Sequence, residues 1–263
     1  MQLISKPGIL ALALLALSAS NAQAETITAA ASSQAATSFA GASFGSPIAF
    51  GADWGSAGVG LFGQTQRKSV TGKRADGSAG IVFGLGDADR YVGLETQVSA
   101  ANLVSYTGNR FGDGGAIGFK LHTNLGYESA FAVGVVGAGR WGSEKDTNRA
   151  SVYAVATKAF KVGNNSPHAL VISLGIGDQD FREIDADTGF GKSGAGVFGS
   201  MAYYITPQIS VIADYSGRYL NAGLSVSPFK SLPFTATLGA LDLTNRYNAG
   251  TQVGLTLGYG FHF

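Results

Sequence analysis

Thr251-Gln-Val-Gly-Leu-Thr-Leu-Gly-Tyr-Gly-Phe-His-Phe263 ends the chain, and its residues alternate without a break. Thr251, Val253, Leu255, Leu257, Tyr259, Phe261 and Phe263 fall on one face of an extended chain, and Gln252, Gly254, Thr256, Gly258, Gly260 and His262 on the other. A period of two is the signature of a strand. One face is greasy and ends in aromatics, while the other is small or polar. Such a strand separates hydrocarbon from a wetter space.

The same alternation recurs upstream. Leu170, Ile172, Leu174 and Ile176 oppose Ala169, Ser173 and Gly175, and Ile209, Val211, Ala213 and Tyr215 oppose Ser210, Asp214 and Ser216. Segments of this kind predict twelve strands, near 52–65, 78–85, 90–103, 116–124, 130–139, 150–160, 168–177, 194–205, 208–216, 219–227, 234–241 and 251–263. The connections alternate between long and short, as the external loops and periplasmic turns of membrane barrels do. Long, polar connections fall near 66–77, 104–115, 140–149, 178–193 and 242–250, and tight turns lie between them. The connection near 216–219 is short for its place, so ten to fourteen strands satisfy the pattern, with twelve the central count. A strand facing lipid cannot leave its edge unpaired, because bare amides in hydrocarbon cost several kcal/mol each. The expected fold is therefore all-β, a closed antiparallel transmembrane β-barrel.

Composition points the same way. Only 13% of the residues are charged, against about one quarter in a soluble domain, while 39 are glycine and 11% aromatic. A β-sandwich also alternates, but low charge, loop parity and a terminal phenylalanine together favour the barrel. Basic and acidic residues number 18 and 17, which leaves no electrostatic footprint for nucleic acid. There is no cysteine, so neither disulfides nor thiolate metal sites contribute.

Residues 1–24 carry Lys6, the apolar run Gly8–Leu17 and the small-residue site Ala22-Gln23-Ala24. That is the pattern of a Sec-type signal peptide, with an apolar run too short for a transmembrane helix. Residues 25–45 are mostly Ala, Ser, Thr and Gly without a hydrophobic period, which predicts a flexible segment ahead of a barrel spanning 46–263.

Val253, Leu255, Leu257, Tyr259, Phe261 and Phe263 resemble the closing strand of bacterial outer-membrane porins and related barrels. The resemblance implies location in the outer membrane, contact with its lipid and lipopolysaccharide, and a C-terminal signal, Tyr259, Phe261 and Phe263, read by the barrel-assembly machinery. It covers the last 13 residues and identifies no narrower family.

Candidate chemistry is sparse. His122, His168 and His262 have neither metal spacing nor a His-x-Ser arrangement, so no catalytic, metal or cofactor residues are assigned and an enzyme is not expected. Gly84-x-Gly86 is a turn rather than a nucleotide cradle. If Leu94, Val98, Ile117, Phe119 and Leu121 face lipid, then Glu95, Gln97, Ser99, Lys120 and His122 face inward, because a charge at the midplane of the lipid face costs about 2–4 kcal/mol. With the hairpin centred on Asn109 and Arg110, Gln97 lies opposite His122 and Ser99 opposite Lys120; Asp214 joins them from the ninth strand. This group lines a constriction or fills the interior. The expected function is porin-like diffusion of small solutes, the alternative a non-conducting structural, adhesion or envelope-assembly barrel. A lipid-modifying enzyme built on Ser99 with Lys120 or His122 ranks third. The acidic loop at Asp178–Gly189 lacks a full calcium ligand set and reads as solvated. The basic loop from Arg67 to Arg74 offers contacts to lipopolysaccharide phosphates.

Overall fold

The computed structural model describes residues 39–65, 75–104, 111–145, 149–164, 166–183, 192–245 and 250–263. Twelve strands follow in chain order: β1 (Ser56–Thr65), β2 (Ala75–Gly86), β3 (Gly93–Ala101), β4 (Gly114–Gly126), β5 (Ser129–Gly142), β6 (Ser151–Lys161), β7 (Ala169–Gly177), β8 (Gly196–Thr206), β9 (Ile209–Tyr215), β10 (Leu220–Val226), β11 (Phe234–Leu241) and β12 (Gln252–His262). Each pairs antiparallel with its sequence neighbours, and β12 returns to β1 along a register running from Ser56 opposite His262 to Gln64 opposite Gly254. The sheet is a closed barrel without a free edge. All twelve expected strands are present, and the short connection between β9 and β10 is a genuine turn.

Alternation decides which side chains meet which surroundings. Val59 and Leu61 on β1, Ile81 and Phe83 on β2, Leu174 and Ile176 on β7, and Val253 and Leu255 on β12 are exposed on the outer surface. In water such a surface would be an aggregation site; against hydrocarbon it costs nothing. Trp54 and Phe263 meet edge to face at 6.3 Å on the rim that carries the short turns, where an aromatic girdle belongs.

Local rules build the turns. Tyr127 and Glu128, the two residues joining β4 to β5, have φ of 50° and 57°, the left-handed conformation that a two-residue hairpin matched to strand twist demands. Farther along the same pair, Ile117 lies opposite Gly139 but Phe119 opposite Val135, so β5 bulges. Gly137, at φ 66°, supplies a backbone that a side chain would strain.

Residues 1–38, which include the expected leader, lie outside the described residues. Composition puts residues 25–45 in a flexible segment and starts the barrel at 46. The described part reads otherwise: the first strand begins at Ser56, and residues 40–49 are buried inside the barrel.

Candidate functional site

Residues 39–53 enter the lumen from the short-turn rim, climb one wall, reverse, and descend the opposite wall. The segment has no regular secondary structure, so it cannot satisfy its own backbone. The wall does this instead. On the ascending arm, Ala40 N–H donates to the Pro207 carbonyl at 2.9 Å, and Tyr204 Oη donates to the Ala40 carbonyl at 2.8 Å. Gly41 is held from both sides, its N–H donating to Ser225 Oγ at 2.7 Å and its carbonyl accepting from Ser210 Oγ at 2.6 Å.

At the apex Ser43 and Ser46 close a local turn, Ser43 Oγ donating to the Ser46 carbonyl, which is the backbone-mimicking use of a serine hydroxyl. Asp214 of β9 anchors that turn. Its carboxylate lies 2.8 Å from Ser43 Oγ and accepts from Ser46 N–H at 3.0 Å and Asn221 Nδ2 at 3.1 Å. Buried carboxylates require such donors.

On the descending arm Ala49 N–H donates to Thr157 Oγ1 at 2.8 Å. Lys120 Nζ donates to the Phe50 carbonyl at 2.9 Å and lies 3.2 Å from Glu95 Oε1, with both side chains under 5% exposed. Glu95 Oε2 in turn accepts from Ala52 N–H at 2.9 Å, and His122 Nε2 lies 3.1 Å from the Ala52 carbonyl. Asp53 ends the arm at the rim, accepting from Ala88 N–H at 3.0 Å and lying 3.7 Å from His122 Nε2. Burial pushes the Asp53 carboxyl up, with His122 pulling the other way.

Glycine on the inner wall makes room for this segment. Phe44 is fully buried, and a Cβ at Gly223, Gly239 or Gly254 would come within 3.5, 2.6 or 3.2 Å of its ring. A Cβ at Gly84 would collide with the Ala52 backbone, and one at Gly51 would sit 2.5 Å from the His122 ring.

The sequence-predicted cluster does point inward, but its register differs. Glu95 lies directly opposite Lys120, Gly93 opposite His122, Gln97 opposite Gly118 and Ser99 opposite Ala116. The pairing is four residues from the expected one. An even shift leaves every side chain on its own face, so alternation cannot detect it; the proposed hairpin centre at Asn109 and Arg110 lies outside the described residues. Ser99 Oγ donates to the Ala116 carbonyl at 3.4 Å, and Lys120 is engaged by Glu95, so the structure does not assemble the Ser99 dyad. Asp214 serves the apex from β9 rather than joining Glu95 and Lys120.

The long-loop mouth has its own closure. Past β7 the chain makes a 3-10 turn, Gln179–Phe181, that folds inward. Phe181 packs on Phe198 at 4.5 Å and Tyr153 at 5.4 Å between ring centroids. Asp180 is clamped between Arg140 at 3.5 Å and Arg218 at 3.7 Å, with all three side chains under 7% exposed. Arg218 also donates to the Arg182 and Gln179 carbonyls. Burial pushes the Asp180 carboxyl up against the pull of Arg218 and Arg140. Composition reads this loop as solvated; Asp180 is a correction, while Asp185, Asp187 and Gly189 lie outside the described residues, as does the basic loop at Arg67–Arg74. Asp180→Ala leaves two buried guanidinia without their carboxylate, and is expected to loosen the turn by about 3–5 kcal/mol. Limited proteolysis measures this as faster cleavage between β7 and β8 with the barrel intact.

Sequence reasoning missed the lumenal segment, the Arg140–Asp180–Arg218 clamp, and a contact across the seam in which Ser56 Oγ meets His262 Nδ1 at 3.3 Å. The signal for the first was present in Phe44, Ile48 and Phe50, large apolar residues spaced among small ones.

No protein-family model matches the chain, and no curated protein matches it. Among solved structures it is similar to the Acinetobacter baumannii outer membrane protein Omp33, with 7% identity, TM-score 0.43, and 79% of this chain and 98% of that one covered. It is also similar to the COG4313 outer membrane channel from Pseudomonas putida F1, with 12% identity, TM-score 0.44, and coverage of 78% and 95%. Identities this low transfer no residue roles. The strand order, the apolar exterior and the polar interior define the architecture: a closed, twelve-stranded antiparallel β-barrel of the outer-membrane type.

Proposed function

We propose that the chain is an outer-membrane channel for small solutes that is shut at rest by its own residues 40–53 and conducts when this segment leaves the lumen. The observation that carries this reading is how the lumenal charges are used. Glu95, Lys120 and Asp214 direct their hydrogen bonds to an irregular segment. A permanent filling gains nothing from buried charge, because apolar residues of similar volume hold a core equally well or better. Polar wall groups suit a segment that must be replaceable by water, since the same groups hydrate well once it has gone. The freed wall would present Glu95, Gln97, Ser99, Lys120, His122 and Asp214 to solutes, and ionisable rings of this kind select by charge.

Planar-bilayer recording of the refolded mature chain is the test. The expected record is a closed baseline with brief openings, and Lys120→Gln shifts the reversal potential of those openings toward cations. A barrel that stays silent in wild type and in every variant that weakens the segment favours the second reading, a non-conducting structural or adhesion barrel. The complete burial of Phe44 favours that alternative.

Export, lipid contact and assembly complete the proposal. Phe263 closes β12 and is 81% exposed, accessible to an assembly factor. Phe263→Ala is expected to lower the outer-membrane level several-fold in cells. Spontaneous refolding into detergent should be unaffected, because one exposed rim aromatic contributes little to stability. Equal losses in both assays would make Phe263 a structural residue only.

A further inference from the structure

A cavity of about 670 Å³ lies between the two arms of the lumenal segment and the inner wall of β6 to β8, opening at the short-turn rim. Its chemistry departs from the rest of the lumen. Phe39, Ala42, Ile48 and Phe50 line it from the segment, and Val171 and Tyr204 from the wall. Elsewhere the inward positions of neighbouring strands carry Thr157, Ser173, Ser200 and Ser210. Hydroxyls hydrate; Phe39, Ala42, Ile48, Phe50 and Val171 do not, and Tyr204 Oη is committed to the Ala40 carbonyl, so the inner part of the recess offers ordered water few partners.

The mouth is different again. Lys161 ends β6 on the inward-facing side, two residues past Ala159, and lines the opening together with Ser166 and His168. Among the described residues Lys161 has no ion-pair partner. Glu128 is also on the rim; its carboxylate repels any anionic head, and a multiply charged one more than a single carboxylate. An apolar recess in the mouth of a barrel, with a few convergent polar groups at its opening, has the form of a small-molecule site, and its volume lies in the range such sites occupy.

We propose that this recess binds one acyl chain bearing a single carboxylate, a fatty acid, with its tail between Phe50, Ile48 and Val171 and its head at Lys161. The chain lies against both arms of the lumenal segment, so the guest is bound partly by the element that shuts the barrel. The site exists while the segment is seated and needs no opening of the lumen, so it does not depend on the channel reading.

The test uses palmitate carrying a photoactivatable diazirine at its tail, added to the mature full-length chain refolded in phosphatidylcholine nanodiscs, with adducts mapped by mass spectrometry. Adducts are expected on residues 39–50 and on Val171 and Tyr204, besides a background on outward residues away from the recess such as Ile172 and Leu174. Ala159→Trp fills the recess and is expected to cut the lumenal adducts about tenfold while leaving the outward ones unchanged. Ala42→Trp fills it from the segment side and serves if the first variant fails to fold. Lys161→Glu should raise the palmitate concentration for half-maximal lumenal labelling about tenfold. Adducts confined to outward residues in the wild type, or lumenal adducts that survive both filling variants, overturn the proposal. Because labelling is read without current, failure of the channel reading leaves this result separately interpretable.

Discussion

Glu95→Ala is expected to destabilise the refolded barrel by about 3–5 kcal/mol and to raise its resting conductance, because it leaves Lys120 buried without its carboxylate. Three consequences follow from one deletion. The ammonium loses its counter-charge at 3.2 Å, Ala52 N–H loses its acceptor, and the descending arm loses the link by which Lys120 and Glu95 together grip Phe50 and Ala52. The least costly response is for Lys120 to reach water, and water enters only where the segment withdraws. Urea unfolding measures the stability loss and bilayer recording the open fraction. The double replacement Glu95→Leu with Lys120→Met separates the two effects. It should recover most of the stability, since an apolar pair of similar volume is no worse than a buried ion pair, but it should not restore the grip on the segment. Wild-type conductance in Glu95→Ala, with stability lost, would mean that the pair holds the wall and not the segment.

Gly84→Val is expected to open the barrel by steric force alone. A Cβ at Gly84 collides with the carbonyl carbon and oxygen of Ala52, which are backbone atoms and cannot rotate aside. Overpacking of this kind costs about 1–3 kcal/mol. The rest of β2 pairs as before, so that cost is relieved by displacing the descending arm rather than by unfolding the sheet. No charge changes and no outward residue is touched. The expected readings are a barrel that still resists detergent at room temperature, a higher open fraction, and unchanged ion selectivity in each opening. Selectivity that changes along with open fraction would mean that β2 itself had distorted.

The barrel was legible because its evidence repeats. Twelve alternating segments, connections of alternating length and the Thr251–Phe263 strand are each weak alone, but all obey one geometry, and lipid enforces it at every strand. Inward residues were legible for the same reason: Glu95, Lys120 and Asp214 could not face hydrocarbon. What those residues touch was not legible. The β3–β4 register is set by a loop, and sliding it by four residues leaves the alternation intact, so the Glu95–Lys120 pair was hidden behind a Ser99–Lys120 pairing. Residues 40–53 were hidden more deeply. Their backbone is satisfied by Ser210, Ser225, Thr157 and Glu95 from distant strands, so the segment itself has no period, and small polar residues without a period look like a free tail. Beside Phe44, Ile48 and Phe50, the inner-wall glycines at 84, 223, 239 and 254 were a second clue, since a barrel filled only by its own wall would have larger residues there. Asp180 reads as solvated in a loop of carboxylates because its partners, Arg140 and Arg218, lie about 40 residues away on either side.

If residues 40–53 are the gate, one disulfide shuts it. A Cβ on Gly41 would lie 3.6 Å from the Ser225 Cβ, within the separation a disulfide spans, and the chain contains no other cysteine to confuse the pairing. Gly41→Cys with Ser225→Cys, oxidised, ties the ascending arm to β10. The predicted result is a bilayer record without openings while the bond is intact, and openings at the wild-type frequency after reduction in the same membrane. Openings of the same size and frequency in the oxidised and reduced protein would mean that solutes pass while the segment cannot leave the lumen, and residues 40–53 would not be the gate.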